Sequence, residues 1–272
     1  MVELDAAVLS TYRRFSLYNS PFPAHDRGCA VDLYPDSQLA APSPVAGEVV
    51  ETRTVRAPDR PYAHDEEYLV LVDTGDHVAR ILHVEPSVAA GDRVAVGDSL
   101  GTMVRSGFFA PWVDNHIHLG FREHGANHHR ASGSLPVEPG VTVDPLDWDG
   151  TGRVAEAGLT YVVLDSPAHP APGERFVGLA NGRGGVLDGG CPHYDGGGAL
   201  PGTDGPVSLA GRRVGVADGR DVTWDDLTVL VDGRPATGVS LFCARDADFG
   251  VKLVFRDGHD LSAGDHVTVT VA

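Results

Sequence analysis

The sequence predicts an all-β protein with two domains, and three observations support this. Runs of alternating or β-branched residues recur along the chain between clusters of glycine, proline and aspartate, which is the pattern of short strands joined by turns. Only residues 4–15 have the apolar spacing of an amphipathic helix. A chain of 272 residues with 42% hydrophobic residues is long enough to bury a core in each of two domains.

The first half contains the clearer strand signals. We expect strands at residues 30–34, 45–55, 68–73, 77–84, 93–96 and 116–122. A polar, histidine-containing loop at 123–133 and a proline-rich stretch at 135–145 then lead to a glycine-bounded turn at 147–152. We therefore place a domain boundary there, with residues 1–23 as an N-terminal extension, 24–150 as the first domain and 151–272 as the second.

The second half is predicted to be a β-sandwich-like accessory domain. Strand-like runs lie at residues 160–164, 227–231, 251–255 and 266–271. Between the first two is a glycine-rich stretch, 178–205, which we expect to be a long loop because glycine loses so much backbone freedom when it is ordered. It contains Cys191 and His193, but no rigid frame that would pair them as nucleophile and base.

Charge and cysteine content limit the partners and the compartment. Acidic residues outnumber basic ones by 38 to 21, which disfavours nucleic acids and anionic membranes as partners. Lys252 is the only lysine, and aspartate exceeds glutamate, so we expect a halophilic protein. The three cysteines show no CxxC spacing, which favours a reducing, cytoplasmic location. No stretch reaches the roughly 18 apolar residues of a transmembrane helix.

One short motif suggests metal chemistry. His116-Ile117-His118 lies in a run of strand character, and a spacing of two places both imidazoles on the same face of a strand. A catalytic zinc usually takes three protein ligands and keeps a fourth position for water. By itself the motif also fits two solvated surface histidines.

The order of several sequence blocks adds to this motif. From the N-terminal side they are GCAVDL (28–33), APSPVAGEVV (41–50), LVLVDTGDH (69–77), RILHV (80–84), VAAGDRVAVGDSLG (88–101), HIHLGFR (116–122) and VDPL (143–146). This series resembles, block by block, the lysostaphin-type family of zinc endopeptidases, whose domain is a duplicated hybrid motif of antiparallel strands. The resemblance covers residues 24–149, nearly half the chain.

The resemblance implies a site and an activity. By position, it makes Asp32 and His118 ligands of Zn²⁺, and His83 and His116 the catalytic pair that orients water and stabilises an oxyanion. The activity would be metal-assisted amide hydrolysis of a peptide or cell-wall-like substrate.

Two positions depart from the family pattern. Its first ligand stands four residues before the aspartate, where this chain has Gly28. We take His25 as the replacement ligand; a bulge or turn at Gly28 would let it converge with Asp32 despite their odd separation. Gly120 stands where the family often has a glutamate that supports a ligand.

A second class of function also fits the sequence. Carrier proteins with the same hybrid fold need a lysine on an exposed hairpin, and Lys252 lies in the other domain. A phosphotransfer role would not use Asp32. The remaining alternative is a catalytically degenerate, metal-free protein that acts as a binding or scaffold module.

Overall fold

The computed structural model describes all 272 residues, which form two compact units. The first contains Met1–Phe15 and Phe22–Val141, and the second contains Ser16–Pro21 and Thr142–Ala272. Strands make up 45% of the chain and helices 3%, which confirms the predicted all-β class. The second unit thus starts before the boundary expected at Gly150, and it includes a short segment of the expected N-terminal extension.

The chain up to Val141 has two short helices and twelve strands. None of the protein's helices has the length and apolar character needed to cross a membrane. The helices are α1 (Ala6–Leu9) and a 3-10 helix (Asp26–Gly28). The strands are β1 (Val2–Leu4), β2 (Arg14–Ser16), β3 (Ala30–Tyr34), β4 (Ala40–Pro42), β5 (Gly47–Val55), β6 (Glu67–Asp73), β7 (Val78–Leu82), β8 (Val84–Pro86), β9 (Arg93–Val94), β10 (Ser99–Met103), β11 (Ile117–Arg122) and β12 (Val137–Pro139).

Six strands of the first unit form an antiparallel sheet in the order β3–β11–β7–β6–β5–β9. One face is apolar, with Leu119 of β11 opposite Val31 of β3 and Ile81 of β7, all buried. Because neighbouring residues of a strand alternate in direction, His118 and its partner Asp32 belong to the other face. The sheets β4–β10–β8 and β1–β12 also belong to the unit, the latter being a parallel pair.

The helix predicted over residues 4–15 is wrong beyond its first turn. Helix α1 spans only Ala6–Leu9, with Asp5 accepting a hydrogen bond at its N-terminus. Ser10 Oγ turns back to donate to a helix carbonyl, a local bond that competes with continuation of the helix. The Arg13 N–H then donates to the carbonyl of Tyr34 at the end of β3. Strand pairing therefore overrides the helical spacing.

The chain from Thr142 onward contains fifteen strands. They are β13 (Val143–Leu146), β14 (Thr151–Ala157), β15 (Tyr161–Leu164), β16 (Phe176–Leu179), β17 (Val186–Cys191), β18 (Gly197–Leu200), β19 (Gly205–Leu209), β20 (Arg212–Asp218), β21 (Asp221–Trp224), β22 (Val229–Val231), β23 (Arg234–Ala236), β24 (Gly238–Leu241), β25 (Cys243–Ala244), β26 (Lys252–Val254) and β27 (His266–Val271). Twelve of them form one sheet in the order β19–β20–β21–β18–β17–β24–β26–β15–β14–β27–β22–β23. Strands β13, β16 and β25 pair in that order. The hydrophobic core of this part of the chain includes the fully buried Leu187, Val239 and Leu253.

The prediction that residues 178–205 form a loop is wrong. Strands β17 and β18 lie within this stretch and pair with each other, Gly189 opposite Gly197. A Cβ at Gly197 would collide with the ring of Trp224, and one at Gly198 would collide with the ring of Tyr18. The glycines thus leave room for aromatic rings to lie directly on the backbone, and this packing offsets their entropic cost.

Candidate metal centre

Strand pairing brings two of the predicted ligands side by side. His118 of β11 lies directly opposite Asp32 of β3 in the antiparallel register, so their side chains share one face of the sheet. His118 Nδ1 is 3.0 Å from Asp32 Oδ1, and both residues are buried.

A tight turn brings the third predicted ligand to the same point. His25 precedes the 3-10 helix, in which Arg27 and Gly28 both have left-handed φ values of 57° and 65°. The turn predicted at Gly28 is therefore present, and it includes Arg27. His25 Nε2 lies 3.1 Å from His118 Nδ1 and 3.3 Å from Asp32 Oδ1.

The spacing of the three donor atoms fits a tetrahedral metal ion. Ligands bound at about 2.0–2.1 Å to a tetrahedral zinc lie about 3.3 Å from one another. The separations among His25 Nε2, Asp32 Oδ1 and His118 Nδ1 are 3.0, 3.1 and 3.3 Å. A small outward movement of the three side chains would accommodate the ion.

The protonation states of the cluster also suit a cation. Burial alone would raise the pKa of Asp32, but His116 and His25 close to it hold this pKa well below its ordinary value. Burial lowers the pKa of His118 to about 3. At neutral pH the cluster therefore offers a carboxylate and at least one neutral imidazole, which are zinc ligands.

His83 reaches the site through an unusual backbone conformation. It stands between β7 and β8 with φ at 71°, a left-handed value that is uncommon for a residue other than glycine. Its ring centroid lies 5.2 Å from that of His116 and 5.8 Å from that of His118. Its Nδ1–H donates to Glu67 Oε2 at 2.7 Å, so in the neutral ring the nitrogen without a proton is Nε2.

His116 is held by a backbone group on one side and by Asp32 on the other. Its Nδ1–H donates to the carbonyl of Asp114 at 2.9 Å, and its Nε2 lies 3.4 Å from Asp32 Oδ1, with which the side chain forms a hydrogen bond. The Asp114 carboxylate forms an ion pair with Arg14, whose guanidinium lies over the ring of Tyr34. The Tyr34 ring in turn contacts the His116 ring.

An aromatic side chain covers both predicted catalytic histidines. The Phe109 ring stacks on His116, with centroids 4.3 Å apart, and meets His83 edge-on at 4.6 Å. Its loop is fixed by Arg105, which donates to three loop carbonyls, and by Tyr62, whose hydroxyl donates to the Phe109 carbonyl. Phe109 therefore packs against both histidines and is itself buried.

Sequence reasoning missed two residues of the site. Glu67 is fully buried beside His83, and its one sequence signal is a carboxylate directly before the apolar run that starts at Tyr68. Phe109 carries no signal that separates it from a core residue.

At Gly120, a Cβ would lie 2.9 Å from Ser134 Oγ, so a side chain in place of this glycine would press on Ser134.

The other candidate residues lie outside the cluster. His124 and His129 are exposed and contact Asp73 and Glu51 respectively. Cys191 is buried in β17, and burial raises the pKa of its thiol to about 12, which disfavours a nucleophilic role. Lys252 is buried, with its ammonium over the ring of Tyr161.

Comparisons with known proteins identify one family. No curated protein and no solved structure matches the chain, and nothing in the comparisons links it to lysostaphin-type peptidases. The model described as "Domain of unknown function (DUF8155) N-terminal domain" matches residues 3–139, and the corresponding C-terminal domain matches 144–272. The chain therefore belongs to the DUF8155 family and contains both of its domains.

Proposed function

We propose that the first unit is a zinc-dependent hydrolase that cleaves an amide bond in a peptide or a cell-wall-like crosslink. The observation that carries this proposal is the convergence of His25 Nε2, Asp32 Oδ1 and His118 Nδ1 within 3.3 Å of one another. The order of sequence blocks that resembles the lysostaphin-type endopeptidases supports it independently.

The roles of the residues follow from their hydrogen bonds. His25, Asp32 and His118 would hold the ion, which when bound supplies Lewis-acid activation of water and of the scissile carbonyl. His83 and His116 each use Nδ1–H for a structural bond. In either ring, Nε2 is then the atom that can accept a proton from water when the ring is neutral and, once protonated, donate to the oxyanion or to the departing amine.

We also propose a reducing, cytoplasmic location. All three cysteines are buried, and none is in a disulfide. The excess of acidic residues supports a high-salt environment, in which dense carboxylates keep a protein hydrated.

Metal analysis of the full-length protein tests the proposal. Purified without added metal, the wild-type protein should contain about one equivalent of zinc. Asp32→Asn and His25→Ala should lose it, because the first removes the only anionic ligand and the second removes an imidazole ligand. The matched controls are Asp26→Asn and His124→Ala, since both of these side chains are exposed and lie outside the cluster.

Hydrolysis assays then separate the enzyme from the binding module. The zinc-loaded protein should cleave glycine-rich or wall-type peptides, and His83→Ala should abolish cleavage without loss of zinc. A wild-type protein that binds no zinc and cleaves none of these peptides would contradict the proposal and favour the metal-free binding or scaffold module.

A further inference from the structure

Glu67 is a buried carboxylate whose position next to the site is closely defined. It is the first residue of β6 and is fully buried. Its Oε1 accepts hydrogen bonds from two backbone N–H groups, those of Tyr68 at 2.7 Å and His83 at 2.9 Å. Its Oε2 accepts from His83 Nδ1–H at 2.7 Å. The side chain of the buried Ser106 also forms a hydrogen bond with this carboxylate. Because Oε1 serves the two backbone donors and Oε2 serves His83 Nδ1, the two oxygens cannot exchange roles without loss of these bonds.

We propose that Glu67 is the positioning residue that sets the tautomer of His83. A carboxylate only accepts hydrogen bonds, so His83 must carry a proton on Nδ1, and the neutral ring then keeps its lone pair on Nε2. The backbone N–H of His83 also donates to Glu67, and this bond holds the left-handed backbone conformation of His83 in place. The role in hydrolysis rests on the proposed function, whereas the role in tautomer selection depends only on the geometry.

A glutamine at this position would invert the tautomer with little change in shape. The two backbone N–H groups require an acceptor where Oε1 now lies, so the amide oxygen must take that place. The amide NH₂ must then occupy the Oε2 position and donate to His83 Nδ1. His83 would consequently carry its proton on Nε2, and its lone pair would be lost from the side that serves the substrate.

The test is a long-range proton–nitrogen NMR spectrum of the full-length protein, with His83 assigned by the signals that His83→Gln removes. We expect His83 to be the Nδ1–H tautomer in the wild type and the Nε2–H tautomer in Glu67→Gln. Glu67→Asp keeps a carboxylate and should retain the Nδ1–H tautomer. Glu66→Gln is the matched control, because the side chain of Glu66 is exposed and bonds to the Tyr68 hydroxyl instead.

The outcomes separate this proposal from the proposed function. An Nε2–H tautomer in the wild type, or an unchanged Nδ1–H tautomer in Glu67→Gln, would overturn the role of Glu67. If the wild type cleaves a peptide, Glu67→Gln should retain one equivalent of zinc and lose at least tenfold in rate, while Glu66→Gln should match the wild type. A wild-type protein without zinc or cleavage would overturn the proposed function alone, because the tautomer of His83 is read without either.

Discussion

Replacing Asp188 with alanine should destabilise the second unit strongly. Asp188 is fully buried and accepts hydrogen bonds from Ser16 Oγ at 2.5 Å, the Leu17 N–H at 2.6 Å and the Tyr18 N–H at 3.2 Å. The alanine variant would leave two backbone donors without this acceptor, and each buried donor left without an acceptor costs about 1–3 kcal/mol. The alanine variant also removes a buried charge, and this gain offsets part of the cost of the two donors. We therefore expect the free energy of unfolding to fall by about 3 kcal/mol.

Urea denaturation followed by circular dichroism would measure this change. Asp188→Asn keeps one acceptor oxygen for the backbone donors and should cost less than alanine, about 1–2 kcal/mol. Asp218→Ala, an exposed carboxylate of the same unit, should lie within about 0.5 kcal/mol of the wild type. An Asp188→Ala protein as stable as Asp218→Ala would refute the view that residues 16–18 are anchored by this carboxylate.

Three further predictions concern pH, packing and salt. The pKa of Glu67 lies at about 2 against an ordinary 4.5: burial alone would raise it, but the charge and hydrogen bond of His83, with hydrogen bonds from Ser106 and the Tyr68 N–H, together lower it by more. Ionised Glu67 therefore contributes about 3 kcal/mol to the free energy of unfolding above pH 4.5, and this contribution is lost as the pH falls to 2. Measured by urea unfolding at each pH, the free energy of unfolding should fall less steeply towards acid pH in Glu67→Gln than in the wild type. Gly197→Ala should cost about 1–3 kcal/mol in urea melts because its Cβ meets the Trp224 ring, whereas Gly125→Ala, with open space around it, should cost far less. With a formal charge of -17, the midpoint of thermal unfolding should fall when salt drops from molar to about 0.1 M, and an unchanged midpoint would contradict a halophilic protein.

Local pattern was sufficient to predict many strands. The runs at residues 30–34 and 266–271 coincide with β3 and β27. The alternation in β27 reflects a half-buried strand, whereas all five residues of β3 are buried. Local pattern did not predict that Asp32 and His118 would meet: only the resemblance to lysostaphin-type endopeptidases implied it. The structure places the two residues opposite one another in the register of β3 and β11.

Features that depend on distant parts of the chain could not be predicted. The glycines of β17 and β18 favour a loop on local grounds, and only Tyr18 and Trp224, remote in sequence, make their missing side chains useful. Similarly, Glu67 begins β6 and His83 follows β7, and their contact requires the left-handed backbone conformation of His83. No spacing rule anticipates such contacts, because they arise from tertiary packing.

The discontinuity of the second unit affects the order in which the chain can be completed during synthesis. Leu17 and its acceptor Asp188 are 171 residues apart, which corresponds to roughly ten to thirty seconds of translation at about 5–20 residues per second. The residues on either side of Ser16–Pro21 belong to the first unit, so that unit can fix both ends of the segment before its partners exist. Strands that are synthesised late must therefore pack against a segment that was synthesised early. Residues from Thr142 onward do not by themselves make up the second unit, which also needs Ser16–Pro21.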